Sequence, residues 1–298
     1  MRTRFAPSPT GPLHLGHAYS AILAHDMARA AGGNFLLRTE DIDRSRARPE
    51  WEEMIYDDLR WLGLSWETPV MRQSERMHAY ETALDTLWQN DLLYPCTCTR
   101  RDIDIALSAP QEGTPVTGPD GPVYPGTCRG EHCGGLPCSM SARASDKHLR
   151  LDIGQTRGYL DHHFDAPTGG TFGLAFLEIG LNRPGDVFTS DEEYRNRIGD
   201  VVLARRDMGT SYHLSVVIDD AAQGITHVTR GEDLFEATRI HVLLQRLLGL
   251  PTPVYHHHRL IRDEYGKRLA KRDDARAIRT YRDDGASPGD IRRMVGLA

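Results

Sequence analysis

Arg4-Phe5-Ala6-Pro7-Ser8-Pro9-Thr10-Gly11-Pro12-Leu13-His14-Leu15-Gly16-His17 is the stretch on which the reading of this chain turns. An apolar, strand-like start runs into a Pro/Gly turn, and a helix-compatible run follows from about His17 to Ala31. A strand, a tight turn and a helix N-terminus make a site for phosphate, because free backbone N–H groups and the helix dipole both point at the anion. Two histidines three positions apart reach the same ligand, and Gly16 between them lets a flat group lie against the backbone. The implied site takes a nucleotide, with histidines in place of the usual lysine.

Working outward, Gly32-Gly33 ends that helix, and Asn34-Phe35-Leu36-Leu37-Arg38 reads as a buried strand. Thr39-Glu40-Asp41-Ile42-Asp43 follows at its carboxyl end, where open parallel α/β sheets bind their ligands. Glu40 and Asp41 are therefore expected to meet whatever the first turn binds, set against the plainer reading of an acidic loop that caps the next helix. Pro49 to Leu62 predicts a helix ended by Gly63. Ser74 is expected to cap another from Glu75 to Asn90, whose stripe of Tyr80, Ala83, Leu84, Leu87 and Trp88 belongs to the core.

All five cysteines lie between Cys96 and Cys138, clustered as metal ligands are and as disulfide scaffolds usually are not. Cys96-Thr97-Cys98 offers two ligands on one turn and Cys128 a third. The fourth tetrahedral position is open to Cys133, Cys138, His132 or Tyr124. A long Gly- and Pro-rich loop has little apolar surface with which to order itself, and a structural zinc ion supplies what it lacks.

His148 to Ile153 alternates like a strand, and Tyr159 to Thr189 reads as short, β-like pieces of an insertion between two halves of a sheet. The second half follows: a buried strand in Asp200 to Arg206, a helix from Ser211 to Asp220, and a strand from Ile225 that ends in charged residues. An amphipathic helix covers Thr238 to Leu248. His256-His257-His258 is expected to be structural, since consecutive strand residues face opposite ways and only two share an ion. Gly266 to Arg272 is a basic loop; bare charge runs are ordinarily solvated, but beside a nucleotide site this one is suited to clamping phosphates. Two short helices, Asp274 to Asp284 and Pro288 to Leu297, are expected after it.

Composition sets the bounds. With 298 residues, 26% charged, 39% hydrophobic and a net charge of −6, the chain has the make-up of a soluble globular protein without the basic footprint of a DNA-coating one. Its longest apolar runs fall short of the ~20 residues that span a bilayer. Met1-Arg2-Thr3-Arg4 runs directly into a structured motif rather than into a signal peptide, so the cytoplasm is the expected compartment.

These motifs resemble those of class I aminoacyl-tRNA synthetases. His14-Leu15-Gly16-His17 is similar to the HIGH signature, and Arg268-Leu269-Ala270-Lys271-Arg272 to KMSKS, with Arg268 for the first lysine and Ala270 for the serine. The fuller Arg-Phe-Ala-Pro-Ser-Pro-Thr-Gly pattern, with Arg38-Thr39-Glu40-Asp41, resembles the glutamyl/glutaminyl branch. The resemblance implies an α/β fold: a Rossmann-like parallel sheet interrupted by a zinc-containing insertion, with a small C-terminal helical subdomain. On this chain the halves of the catalytic domain are expected at 1–92 and 196–255, the insertion at 93–195, and the KMSKS-like loop and C-terminal helices at 256–298.

The implied chemistry is activation of L-glutamate by ATP, with Mg2+ accompanying the nucleotide. Catalysis is expected from His14, His17 and Lys271, ATP binding from Pro7, Ser8, Gly16, His17, Arg268 and Lys271, and glutamate binding from Arg4, Phe5, Ala6, Pro7, Ser8, Glu40, Tyr212 and Arg230. Arg4 or Arg230 suits a carboxylate, Glu40 an α-ammonium, and two arginines favour glutamate over glutamine. The chain stops about 25 residues after the basic loop, and so resembles truncated paralogues of this branch that lack an anticodon-binding domain. Those enzymes activate glutamate without tRNA and transfer it to queuosine in the anticodon of tRNA(Asp). Their zinc pattern is matched by Cys96, Cys98, Tyr124 and Cys128. The competing readings are a glutamyl-tRNA synthetase core whose anticodon-binding domain is a separate partner, and an inactive RNA-binding paralogue.

Overall fold

Parallel strands laid side by side with helices between them carry the molecule, and the cleft lies where their carboxyl ends converge. The structure is a computed structural model that describes residues 1–108, 116–130, 137–164, 173–180, 184–262 and 276–297. In the first half, β1 (Arg2–Phe5), α1 (Leu15–Ala30), β2 (Asn34–Thr39), α2 (Pro49–Trp61) and β3 (Glu67–Arg72) form a parallel sheet in the order β1-β2-β3. After α3 (Met77–Gln89) come β4 (Leu93–Cys96), α4 (Arg100–Ser108), the small hairpin of β5 (Thr117–Gly118) and β6 (Gly121–Pro122), then β7 (His148–Leu151) and α5 (Ile153–His163).

The chain continues through β8 (Gly173–Glu178), β9 (Gly185–Ser190), the single turn α6 (Asp191–Glu193) and β10 (Val202–Ala204). It ends with α7 (Tyr212–Ala222), β11 (His227–Gly231), α8 (Phe235–Leu247), β12 (Val254–His258), α9 (Ile278–Asp283) and α10 (Pro288–Val295). β11 and β12 are parallel, and β1 is joined to this second half where the Thr226 N–H donates to the Arg2 carbonyl at 3.0 Å. β4, β7 and β10 make a separate antiparallel sheet beneath the cysteine-rich segment.

Three local expectations are corrected. Residues 153–163, part of which read as β-like, are helical: Ile153, Thr156 and Leu160 bury one face, and that packing overrides the low helix propensity of Gly154 and Gly158. β8 and β9, assigned by sequence to the insertion, hydrogen-bond as a hairpin onto β12 and extend the second-half sheet. Ser74 does not cap α3; Asp41 accepts from its N–H at 2.8 Å and its hydroxyl at 2.6 Å, so Asp41 latches the loop after β2 rather than facing the cleft.

Arg292 reaches both oxygens of Asp26 at 2.6 and 3.1 Å, pinning α10 against α1. Asp58 is fully buried under the same layer, and among the described residues neither carboxylate oxygen has a hydrogen-bond partner. Burial pushes its pKa up to about 6, with Asp57 adding to the rise against Arg279 and Arg282. A raised carboxylate pKa means that the folded state holds the proton longer than the unfolded one, so stability falls as pH rises from about 4 to about 6. Asp58→Asn is expected to raise stability by about 1–2 kcal/mol at pH 8 and by little at pH 4, read from urea midpoints.

Candidate active site and metal centre

A cleft of about 480 Å³ is lined by Arg4, Phe5, Ala6 and Ser8 after β1, by His14, Gly16, His17 and Ser20 at the start of α1, and by Glu40, Tyr212 and Arg230. Of the described residues expected at this site, Pro7 joins Asp41 in lying outside that lining. Pro7 is buried, and its carbonyl accepts from the Glu40 N–H at 3.1 Å, which ties β2's end to the turn. Arg268 and Lys271 lie outside the described residues. The chain on either side of them is placed by contacts: Ile261 lines the cleft, Ala277 bridges His14, and the Ile278 N–H donates to the Leu13 carbonyl at 2.8 Å.

The two histidines are organised by the helix end itself. His14 is the N-cap of α1: its Nδ1 accepts from the Gly16 N–H at 3.1 Å, while its own N–H donates to His17 Nδ1 at 3.2 Å. With both Nδ1 atoms accepting, the proton of each neutral ring sits on Nε2. The rings lie 3.8 Å apart between centroids. A Cβ on Gly16 would come within 3.0 Å of His14 Cε1, tighter than ordinary contact. Gly16→Ala is therefore expected to displace the His14 ring and lower glutamate-dependent ATP–pyrophosphate exchange about tenfold or more with little loss of stability.

Beneath the cleft is a buried ionic cluster that links elements far apart in the chain. Arg4 donates from Nε and Nη2 to Asp220 at 3.0 and 3.2 Å, and from Nη1 to the Thr229 carbonyl at 3.2 Å. Arg38, fully buried, donates to Asp220 at 2.7 Å and to Gln223 at 2.9 Å, and it reaches Glu40 at 3.4 Å. Arg4 was one of two arginines suited to a substrate carboxylate; its fork is engaged by the chain's own Asp220. Burial drives the Glu40 pKa upward more strongly than Arg38 and Arg4 pull it down, so its ionised form gains from an incoming cation. Burial also acts to raise Asp220, but Arg4 and Arg38 outweigh it and hold that carboxyl below its ordinary value.

Arg230 is the other expected carboxylate ligand. Its Nε donates to His257 Nε2 at 3.2 Å, its Nη1 to His241 Nδ1 at 2.9 Å, and its Nη2 to the Thr238 hydroxyl. A guanidinium has five N–H donors. Among the described residues three are engaged, and one on each terminal nitrogen remains for the cleft that Arg230 lines. Of the neighbouring histidines, His257 serves this arginine while His258 bonds Ser20 at 2.8 Å, as alternate faces of a strand dictate.

Asp220, and Asp219 beside it, which accepts from Gln73, Arg76 and Tyr80 at 3.0, 3.1 and 2.7 Å, carried no role in the sequence, where Arg38 figured only in the Arg38-Thr39-Glu40-Asp41 motif. Two adjacent carboxylates directly after the apolar run Val216-Val217-Ile218 of α7, and an arginine ending Phe35-Leu36-Leu37, were signals that such a cluster existed. Nothing in the sequence paired them.

The cysteine-rich segment forms a second, separate centre. The sulfurs of Cys96, Cys98 and Cys128 lie within 4.8 Å of one another, with Cys98 and Cys128 at 3.4 Å. The Tyr124 hydroxyl is 3.6 Å from Cys96 Sγ and 3.3 Å from Cys98 Sγ. Three thiols and a phenol converging at these distances suit a tetrahedral cation of zinc's preference. Cys138 packs beside the cluster but is outside this set of close sulfurs, and Cys133 and His132 lie outside the described residues. Burial lifts the Cys98 thiol to about 11. Arg150, which the sequence did not single out, places its guanidinium carbon 3.8 Å over the Tyr124 ring and donates from Nε to Cys96 Sγ at 3.3 Å. It offsets the negative charge that deprotonated ligands would carry.

The family model of class I tRNA synthetases (E and Q), catalytic domain, matches residues 1–110 and 185–298. The chain belongs to this family. Among curated relatives of this synthetase, glutamyl-Q tRNA(Asp) synthetase of Rhodobacter capsulatus is 62% identical over all of both chains. The protein of that name from Symbiobacterium thermophilum is 40% identical over 99% of this chain and 86% of its own length. Among solved structures, a glutamate-tRNA synthetase from Elizabethkingia anophelis superposes with a TM-score of 0.74 at 25% identity, covering 100% of this chain and 61% of that one. The class I synthetase fold expected from the opening motif is thereby established. No helix among the described residues is long and apolar enough to cross a membrane.

Proposed function

We propose that this synthetase joins L-glutamate to ATP without tRNA, forming glutamyl-adenylate and pyrophosphate, and then transfers the glutamyl group to queuosine in the anticodon of tRNA(Asp), in the cytoplasm. The observation that carries the proposal is that Glu40 and Arg230 line the same cleft as the His14–His17 turn. Arg230 offers its two remaining donors to the side-chain carboxylate, Glu40 takes the α-ammonium, and the Tyr212 ring orients the substrate between them. The α-carboxylate oxygen attacks the α-phosphorus and pyrophosphate leaves, so no covalent bond to the enzyme forms. Negative charge grows on the α-phosphate, where the N–H groups at the start of α1 and the Nε2–H donors of His14 and His17 stabilise it. Arg268 and Lys271 are proposed to add cationic charge there, and Mg2+ bound with ATP would neutralise its terminal phosphates. Phe5, Ala6 and Ser8 form the cleft wall nearest the amino acid.

Cys96, Cys98, Tyr124 and Cys128 are proposed to hold one structural zinc ion that orders the insertion. The full-length likeness to relatives named for queuosine tRNA(Asp) supports the acceptor. The deciding experiment supplies purified protein with glutamate and ATP, then tRNA(Asp) with and without queuosine. Exchange in the absence of tRNA and glutamyl transfer only to the queuosine-bearing form are expected. Strict dependence of activation on tRNA(Glu) would instead show a glutamyl-tRNA synthetase core working with a separate anticodon-binding partner, the reading favoured by the likeness to the longer glutamate-tRNA synthetase structure.

A further inference from the structure

Arg230 is the middle of a longer chain of hydrogen bonds. On one side His241 Nδ1 accepts from Arg230 at 2.9 Å, His241 Nε2 meets His213 Nδ1 at 3.0 Å, and His213 Nε2 meets an Asp120 carboxylate oxygen at 2.9 Å. On the other side His257 Nε2 accepts from Arg230 Nε, and His257 Nδ1 bonds Glu178. Glu178 Oε1 also accepts from the backbone N–H groups of His257 and Gly180. His213, His241, Thr238, His257 and Glu178 are all buried. Asp120 belongs to the turn between β5 and β6 and is half exposed.

Proton positions follow from chemistry alone. A guanidinium only donates, so His241 Nδ1 and His257 Nε2 are acceptors and both rings are neutral. His241 then carries its proton on Nε2 and gives it to His213 Nδ1. His213 in turn carries its proton on Nε2 and gives it to Asp120. Every link donates in the same direction, away from Arg230, and the run ends on a carboxylate that can only accept. The opposite branch ends the same way, on Glu178. Burial and the Arg230 charge both keep His241 unprotonated, consistent with this order.

We propose that Asp120, His213 and His241 form a positioning relay that runs from the β5–β6 hairpin to Arg230, holding its inward donors so that its remaining two meet a side-chain carboxylate squarely. This rests on the reading of Arg230 as the ligand of that carboxylate. The hairpin, within the segment expected to form the insertion, thus sets the affinity and the acid-over-amide selectivity of a pocket built on α7, α8 and β11. Buried, fully satisfied networks restrict a side chain to one geometry, and a charge-bearing hydrogen bond is worth about 1.5–3 kcal/mol, or roughly tenfold to 150-fold in affinity.

The test is ATP–pyrophosphate exchange with glutamate, glutamine and ATP varied in turn. His241→Phe is expected to raise the glutamate KM about tenfold or more, with the ATP KM unchanged and the glutamate-over-glutamine ratio of kcat/KM lowered by a similar factor. His241→Asn, whose amide oxygen replaces Nδ1 as acceptor, is expected to recover most of that loss. Asp120→Ala lies on the surface hairpin and leaves the buried core intact; it is expected to raise the glutamate KM about threefold and to add nothing in the His241→Asn background, where its link to Arg230 is already cut. Arg230→Leu separates the two levels of the argument. If Arg230→Leu raises the glutamate KM but Asp120→Ala and His213→Phe alter neither KM nor selectivity, the relay is refuted while the pocket reading stands. If Arg230→Leu itself leaves the glutamate KM unchanged, the pocket reading fails and the relay fails with it.

Discussion

Asp220→Ala is expected to destabilise the protein by about 3–5 kcal/mol, because it leaves two buried guanidinium groups without their shared carboxylate. Asp220 is 6% exposed, and its two oxygens take the Arg4 fork while Oδ1 also accepts from Arg38. Arg38 keeps contacts to Gln223 and Glu40, which places the loss toward the lower end of that range. Urea denaturation of wild type and variant at neutral pH measures it. The pH dependence supplies an independent check. Asp220 has a folded-state pKa below its ordinary value of 3.8, so its contribution is complete above that value and is lost as pH falls beneath it. Wild type is therefore expected to lose its margin over the variant below about pH 4. A margin that stayed constant down to pH 2 would mean that packing, rather than charge, accounts for the loss. Activity should fall as well, since Arg4 no longer has a fixed place in the wall of the cleft.

The second large effect concerns the proposed zinc. Cys98→Ala, or treatment with a strong chelator, is expected to remove one equivalent of zinc and to open residues around Cys96 to Cys128 to proteolysis. Structural zinc sites supply on the order of 10 kcal/mol of local folding free energy, far more than a hairpin and short loops supply for themselves. None of Cys96, Cys98, Tyr124 and Cys128 lines the cleft that holds His14, Glu40 and Arg230. Glutamate-dependent exchange should therefore stay within about threefold of wild type, the step expected from losing the Asp120 end of the relay, while transfer to tRNA falls much further. Exchange that declined in strict proportion to zinc content would overturn the structural role.

Much of the site was legible because its signals are local. The His14–His17 turn depends on residues three apart, and helix capping acts within one turn, so the sequence predicts both the cradle and the helix that backs it. The placement of Glu40 follows from a buried strand running into an acidic end. The closeness of Cys96 and Cys98 reads from their two-residue spacing, while Tyr124 beside Cys128 was implied by the family resemblance, and the four side chains do converge. Where local signals misled, tertiary packing had overridden them: α5 forms despite its glycines, and Ser74 serves the loop after β2 instead of α3.

Sequence alone thus determined the family, the turn that carries His14 and His17 into the cleft, the acidic strand end and the close set of cysteines. Each of these is a short-range pattern whose chemistry survives any arrangement of the rest. Tertiary structure alone decided which of the two arginines keeps donors for the cleft. Arg4 and Arg230 are equivalent as letters, but the topology sets Asp220, 216 positions away, against the Arg4 fork. It sets His241, His257 and Thr238 behind Arg230 in a way that leaves two donors for the cleft. Hydrogen bonds across such separations are fixed by which strands pair and which helices cover them, and that information exists only once the sheet has formed.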